Sequence, residues 1–476
     1  MTSSSPLGQM GRRSFLAGTA ATGVAALASQ AASARVTVPQ RYATIDDWIA
    51  RESIRFSLDK NFDGAVDRLM ARLGDVDILG FGEPLHSGEE FLVVRNRLFQ
   101  RLVEKHGFRA ITIETNDMRA RLIDDYIQGR GTSFKAIEDE GFSVGIGHWE
   151  RNRDLIAWLK RYNDDPAHKV KLNLYGTLAS DQETTKSPRD GLTYALAYLD
   201  RTDPDAAAKY RNIVDPLLGS DKEWEETATA RAQEIMKRIF AGDENAIPPT
   251  TGKELGVSPR AQGLRLAVEN LIFEFKMRRP EFVGKTDMDS FRQALRHLVV
   301  ARNLLLLHAA AARGESLDRL VSMRDAMAAE HLAWIAEREQ GRGKIMVFLH
   351  SIHLRRTRAK LPWYEFLPTG AHLDQMFGDR FAVVAGAVGE SEANTIDVPE
   401  AGSLEGRLMA QGSDLFLPTG RSRGLPPGAL AALPPRKGSA PNIPYTPLSP
   451  QSVADYDAIT FLRSVTVTRG LAPMPG

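Results

Sequence analysis

The chain has no cysteine among its 476 residues. That absence excludes thiol nucleophiles, thiolate metal sites and disulfides together, so reactive groups must come from other side chains. Net charge is nearly absent as well, with 61 basic residues against 60 acidic ones and no long run of either sign. Nothing points to nucleic acid or to an anionic membrane, and small neutral or modestly charged ligands are the expected partners. No internal repeat of solenoid length is present. A serine hydrolase of the α/β-hydrolase type is not expected.

The N-terminal stretch "MGRRSFLAGTAATGVAALASQAASARV" places Arg12 and Arg13 ahead of a weakly apolar Ala/Gly segment that ends in Ala32-Ser33-Ala34. Paired arginines, apolar run and AxA site, in that order, predict a twin-arginine export signal over residues 1–34, read by the twin-arginine export machinery. The segment is too short and too poor in Leu and Ile for a stable membrane span. The expected mature chain begins near Arg35 and is periplasmic or secreted.

Five short runs are almost continuously apolar: "VDILGF" (76–81), "RAITIE" (109–114), "VKLNLYG" (170–176), "KIMVFLH" (344–350) and "RFAVVAGAV" (380–388). Unbroken rather than alternating apolarity marks strands buried on both faces, as in a parallel sheet. Between the first two, "EFLVVRNRLFQRLVEKHG" spaces Phe91, Val94, Leu98 and Leu102 three or four apart and stops at Gly107, an amphipathic helix with its terminator. The expected fold is therefore α/β, a mainly parallel central sheet flanked by helices. Residues from about 190 to 340 read as almost wholly helical, a large lobe inserted within the 35–400 domain. Residues 401–476, Pro/Gly-rich at 418–448, are expected to be an extension packed on that domain.

Carboxyl ends of parallel strands share one edge, where ligands bind. Glu83 and His86 in "GFGEPLHSGEEF" follow the first run, Glu114 closes the second, and His350 and His353 in "FLHSIHLRR" follow the fourth. Arg95, four residues after Phe91 and three before Leu98, falls on the inward helix face, and a buried arginine calls for an anion such as Glu83 or Glu114. Glu83 as a simple helix cap is the plainer alternative. His106, His297, His308 and His331 sit in helical patterns and read as core or surface residues.

These residues carry a resemblance. "FGEPLHSGEEFLVVRNRLFQRLVEKHGFRAITIE" resembles the opening of the erythromycin esterase family, with its GExxH motif, inward Arg and strand-closing Glu. The likeness continues through "LIAWLKRYND", "RDAMAAEHLAWI", "VFLHSIHLRR" and "PTGAHLDQMFGDRFAVV". It implies hydrolysis of an ester, in the founding members a macrolide lactone, by activated water with no covalent intermediate and no cofactor. It makes His86 the general base, with Glu83, Arg95, Glu114, His350 and His353 around it. Ser351 stands where the family often has an amide. A metal-dependent hydrolase using the same Glu/His cluster, and an exported small-molecule binding protein without activity, are the competing expectations.

Overall fold

Strand β2 (Ile78–Glu83) is buried at every position, and its neighbour β5 (Lys344–His350) at all but the first. Successive residues point to opposite faces, so such runs need apolar layers on both sides. Leu79, Phe81, Met346 and Phe348 enter one core, and Ile78, Ile345, Val347 and Leu349 the other. The computed structural model describes residues 41–131, 133–143, 146–178, 187–224, 254–361, 364–439 and 445–470, together with 234, 235, 237, 238, 250 and 252. The expected export signal lies outside the described residues.

The central sheet also contains β1 (Ile54–Phe56), β3 (Phe108–Asn116), β4 (Asn173–Leu178), β8 (Phe381–Glu390), β9 (Asp414–Pro418) and β10 (Ala458–Ser464). Its order is β1-β9-β10-β8-β2-β5-β3-β4. All pairings are parallel except those made by β9 with β1 and β10. A separate short hairpin joins β6 (Ala359–Lys360) to β7 (Glu365–Phe366).

The five expected strands are therefore present, and the fold is α/β with a mainly parallel sheet. The boundary drawn at residue 400 needs correction, because β9 and β10 lie inside the sheet rather than on it. Their short apolar runs, "DLFLP" and "AITFLRS", flank the Pro/Gly-rich stretch that masked them.

The helical lobe lies between β4 and β5. Its core gathers Tyr198, Trp224, Phe275, Phe282 and Phe291 from successive helices. Helix Leu317–Glu339 leads back to the sheet, burying Ala329, Leu332 and Ile335 beside Val347 and Leu349. Ser316 caps its start by accepting from the Arg319 amide. Two glycines let the chain close tightly around the end of β2. A Cβ on Gly82 would stand 2.6 Å from Ser351 Oγ, and one on Gly386 would stand 2.4 Å from Pro84 Cδ.

Candidate active site

Register brings the site together. Glu83 and His350, the last residues of β2 and β5, are direct cross-strand partners. Glu114, near the end of β3, accepts the His350 backbone N–H on Oε2 at 2.8 Å. The loop after Glu83 turns back through Ser87, whose φ of 65° lies in the left-handed region. It presents His86 with nearly half its side chain exposed, 46%, while Glu83 beneath it is 4% exposed.

His86 Nδ1 lies 2.8 Å from Glu83 Oε1. A neutral His86 thus donates Nδ1–H to the carboxylate and leaves Nε2 as the ring's acceptor. The other Glu83 oxygen is buried with no partner. Burial lifts the Glu83 carboxyl above its ordinary range against the pull of His86. For His86 burial disfavours the imidazolium, but the hydrogen bond and charge of Glu83, with Glu114 behind, outweigh it and push the pKa up to about 9.

His350 is buried; its Nε2 is 3.1 Å from the Pro84 carbonyl and its Nδ1 accepts from the Ile352 amide at 3.3 Å. It therefore braces the loop that carries His86, whose ring centroid is 5.1 Å away. His353 has its own carboxylate. Its Nδ1 is 2.8 Å from Oδ1 of Asp325, which also accepts the Thr369 amide and hydroxyl. Burial would raise the Asp325 carboxyl, yet His353 and Arg324 hold it below the usual range.

Two of these partners were missed by the sequence reading. Arg324 donates to Glu114 Oε1 at 3.0 Å and comes within 3.4 Å of His353 Nε2. Burial raises the Glu114 carboxyl, but His86, His353, Arg324 and the His350 amide together draw it far below the ordinary range. Asp325 shares the inward stripe of its helix with Ala328, Ala329, Leu332 and Ile335. A carboxylate on an apolar stripe is the same kind of signal that selected Arg95.

Arg95 itself is corrected in part. It faces inward and is 1% exposed, but among the described residues no carboxylate bonds to it. Its guanidinium donates to Asn96 Oδ1 at 2.8 and 3.0 Å, to Asn152 Oδ1 at 2.8 Å and to the Arg151 carbonyl at 3.3 Å. It stacks 4.9 Å over Phe348. Asn96 on its own helix and Asn152 and Arg151 on helix Glu150–Asp164 supply these neutral acceptors, so Glu83 acts on it through space. Burial lowers its pKa to about 10.

Two pentapeptides of the Gly-x-Ser-x-Gly form do occur, at 141–145 and 420–424, so the expectation against a serine nucleophile rests on their surroundings. Ser143 is 1% exposed and bonds to Thr115 and the Asn116 amide. Ser422 has its hydroxyl buried without a partner, and hence without a base. Among the described residues, no group of three or more His, Asp or Glu stands close enough to hold a metal ion. The donor set expected for a metal centre is thus already committed: Glu114 to Arg324, His350 to the loop, His353 to Asp325.

The erythromycin esterase family matches residues 103–465, which extends past the sequence likeness at its far end and begins after the His86 loop. Erythromycin esterase type II of Escherichia coli is 20% identical over 351 residues, covering 71% of this chain and 75% of that protein. Erythromycin esterase type I of Escherichia coli is 25% identical over 300 residues, covering 62% and 66%. In fold, the chain is similar to a crystal structure from Bacillus cereus (TM-score 0.66, 16% identity, 90% of this chain and 98% of that one). It is also similar to an erythromycin esterase mutant, EreC, in its open conformation (TM-score 0.60, 18% identity, 87% and 97%). Fold and relatives define an esterase-like hydrolase on a mainly parallel α/β sheet. Within that class, the chain belongs to the erythromycin esterase family.

Proposed function

We propose that the chain hydrolyses an ester or lactone, macrolide lactones included, with water activated by His86 and no covalent enzyme intermediate. The observation that carries this reading is the His86–Glu83 pair, 2.8 Å apart, with an exposed ring standing on a buried carboxylate at the carboxyl edge of the sheet. Glu83 fixes the ring, so in the neutral form of His86 Nε2 takes a proton from water as the water oxygen attacks the carbonyl carbon. Arg324, held by Glu114 and Asp325, offers fixed positive charge to the oxyanion, as does His353 when protonated. Collapse breaks the acyl–oxygen bond, and His86 returns the proton to the departing alkoxide. The names of the relatives support a macrolide as substrate.

The test is incubation of the mature chain with erythromycin and with p-nitrophenyl acetate in ¹⁸O-water. Ring opening by one water, with label in the product carboxylate after a single turnover, is expected. An acyl-enzyme detected by mass spectrometry would refute the mechanism.

Export completes the proposal, supported by Arg12, Arg13 and the Ala32-Ser33-Ala34 site. Replacing both arginines by Lys is expected to leave the protein in the cytoplasm.

A further inference from the structure

The loop carrying His86 is short, strained at Ser87 and exposed at its tip, and the residues that fix its far side come from the end of the chain. Thr446 N–H donates to the Pro84 carbonyl at 2.8 Å, the same oxygen that His350 Nε2 approaches. Thr468 N–H donates to the Ser87 carbonyl at 2.8 Å, and the Glu89 amide donates to the Thr466 carbonyl at 3.0 Å. Gly88 and Val467 form an isolated antiparallel bridge between these two bonds.

Side chains secure the bridge. Glu89, 7% exposed, accepts on Oε2 from the Thr468 hydroxyl at 3.1 Å and the Arg469 amide at 3.3 Å. On Oε1 it accepts from the Arg469 guanidinium at 3.2 Å and from Arg151 Nε at 2.6 Å. Glu90 accepts from the amide and hydroxyl of Thr466 at 2.6 and 2.8 Å. The Pro84 and Ser87 carbonyls, the Glu89 amide and the Glu89 and Glu90 carboxylates are thus tied to residues 446–469, and residues 466–469 lie beyond the family match.

We infer that this C-terminal segment is a clamp that positions the base, with Glu89, Thr468 and Arg469 as its positioning residues. The inference rests on the proposed role of His86. A non-glycine residue in the left-handed region is strained and persists only where its surroundings over-determine it. Here the clamp supplies that constraint, holding Ser87 so that the His86 ring stays on Glu83. Loosening it lets the ring swing off the carboxylate. Two readouts then move together: turnover drops because the base is misplaced, and the basicity lent by Glu83 is lost. The charged and titratable groups acting on the His86 ring are Glu83, Glu114 and Arg324, with His350 edge-on to it. Among the described residues, only Glu83 is seen to bond to the ring.

The test compares wild type with Glu89→Ala, Glu89→Gln, Thr468→Val and a chain stopped after Val465, using p-nitrophenyl acetate over a range of pH. Glu89→Ala and the shortened chain are expected to lose about 10- to 100-fold in kcat, a range typical of misplacing a catalytic group by about an ångström, with KM little changed. Their pH midpoint is expected to fall from about 9 toward the ordinary histidine value near 6.5. Glu89→Gln, which keeps an acceptor oxygen for Thr468 and Arg469, is expected to recover part of both. Thr468→Val removes one side-chain bond only and remains informative if the shortened chain fails to fold. Folded variants with lower Tm but wild-type kcat and pH midpoint would overturn the clamp. His86→Ala is the separate control: an active His86→Ala protein overturns the role of His86 itself, whereas an inactive one beside normal clamp variants overturns the clamp alone.

Discussion

Arg324 donates to Glu114 across 210 positions of sequence, and this contact joins the helical lobe to the carboxyl edge of the sheet. Both groups are largely buried, with side chains 22% and 17% exposed. Arg324→Ala leaves the Glu114 carboxylate without its side-chain cation. A loss of roughly 3–5 kcal/mol in urea unfolding is expected, the range for breaking one side of a buried pair. A loss well under 1 kcal/mol would show the contact to be energetically idle.

The same guanidinium already supplies the positive charge beside Glu114 that a divalent ion would otherwise bring. Exhaustive dialysis against a strong chelator is therefore expected to leave esterase activity intact, with little gain from added zinc, manganese or magnesium. Abolition by chelator and restoration by one of these ions would turn His86, His350 and His353 into ligands.

Catalysis by His86 is expected to rise with pH. A base works only when unprotonated, and Glu83 holds the His86 pKa near 9, so kcat/KM is expected to climb through a midpoint near pH 9 and level off only above it. Glu83→Gln removes the charge that sustains this value, and its midpoint is expected to move toward the ordinary 6.5 or so. His86→Ala is expected to lower turnover by roughly 10²- to 10⁴-fold while the near-UV circular dichroism stays native.

Acid weakens the fold through His297. This side chain is fully buried and accepts a hydrogen bond from Arg121 Nη1 at 2.9 Å, so its ring must stay neutral. Burial, then Arg121, push its pKa down to about 3, with Asp117 opposing and Arg296 and His331 adding to the effect. An unfolded chain regains the ordinary value near 6.5 and binds the proton more readily than the native state. Stability from this residue therefore falls as pH drops from about 6.5 toward 3, by up to about 1.4 kcal/mol per unit. Urea midpoints from pH 7 to 4 are expected to fall more steeply for wild type than for His297→Gln, and parallel curves would dismiss the effect.

Arg95 serves packing and hydrogen bonding. Arg95→Ala strands Asn96 and Asn152 acceptors and opens a cavity against Phe348, for a loss of roughly 2–5 kcal/mol. Lys at this position is expected to rescue little, since one ammonium cannot reach three acceptors in the plane of a guanidinium. Thermal unfolding of both variants checks this.

The parallel strands were legible because burial on both faces writes an unbroken apolar run. Glu83, His86, Glu114 and the histidines at and after the end of β5 were legible because strand ends converge whatever their order in the chain. Arg324 and Asp325 were not. Their helix is long and its polar positions look solvated until the sheet edge supplies Glu114 and His353 as partners. The partner of Arg95 was misjudged for a related reason: sequence shows that a buried cation needs acceptors, but not that two asparagines and a carbonyl outcompete a carboxylate for the place. β9 and β10 were hidden by composition, being brief runs on either side of proline and glycine.

Strand order also bears on how the polypeptide is made. β10, the final strand, is seated between β8 and β9, yet it leaves the ribosome after every other strand. Until residues 458–464 emerge, β8, buried in the finished molecule at every position but its last, presents a bare apolar edge, and β9 with β1 has nothing to join. Such an edge invites pairing with other chains. A nascent chain interrupted before residue 458 is thus a substrate for holdase chaperones and proteases, and premature termination yields aggregates in place of a partly working enzyme.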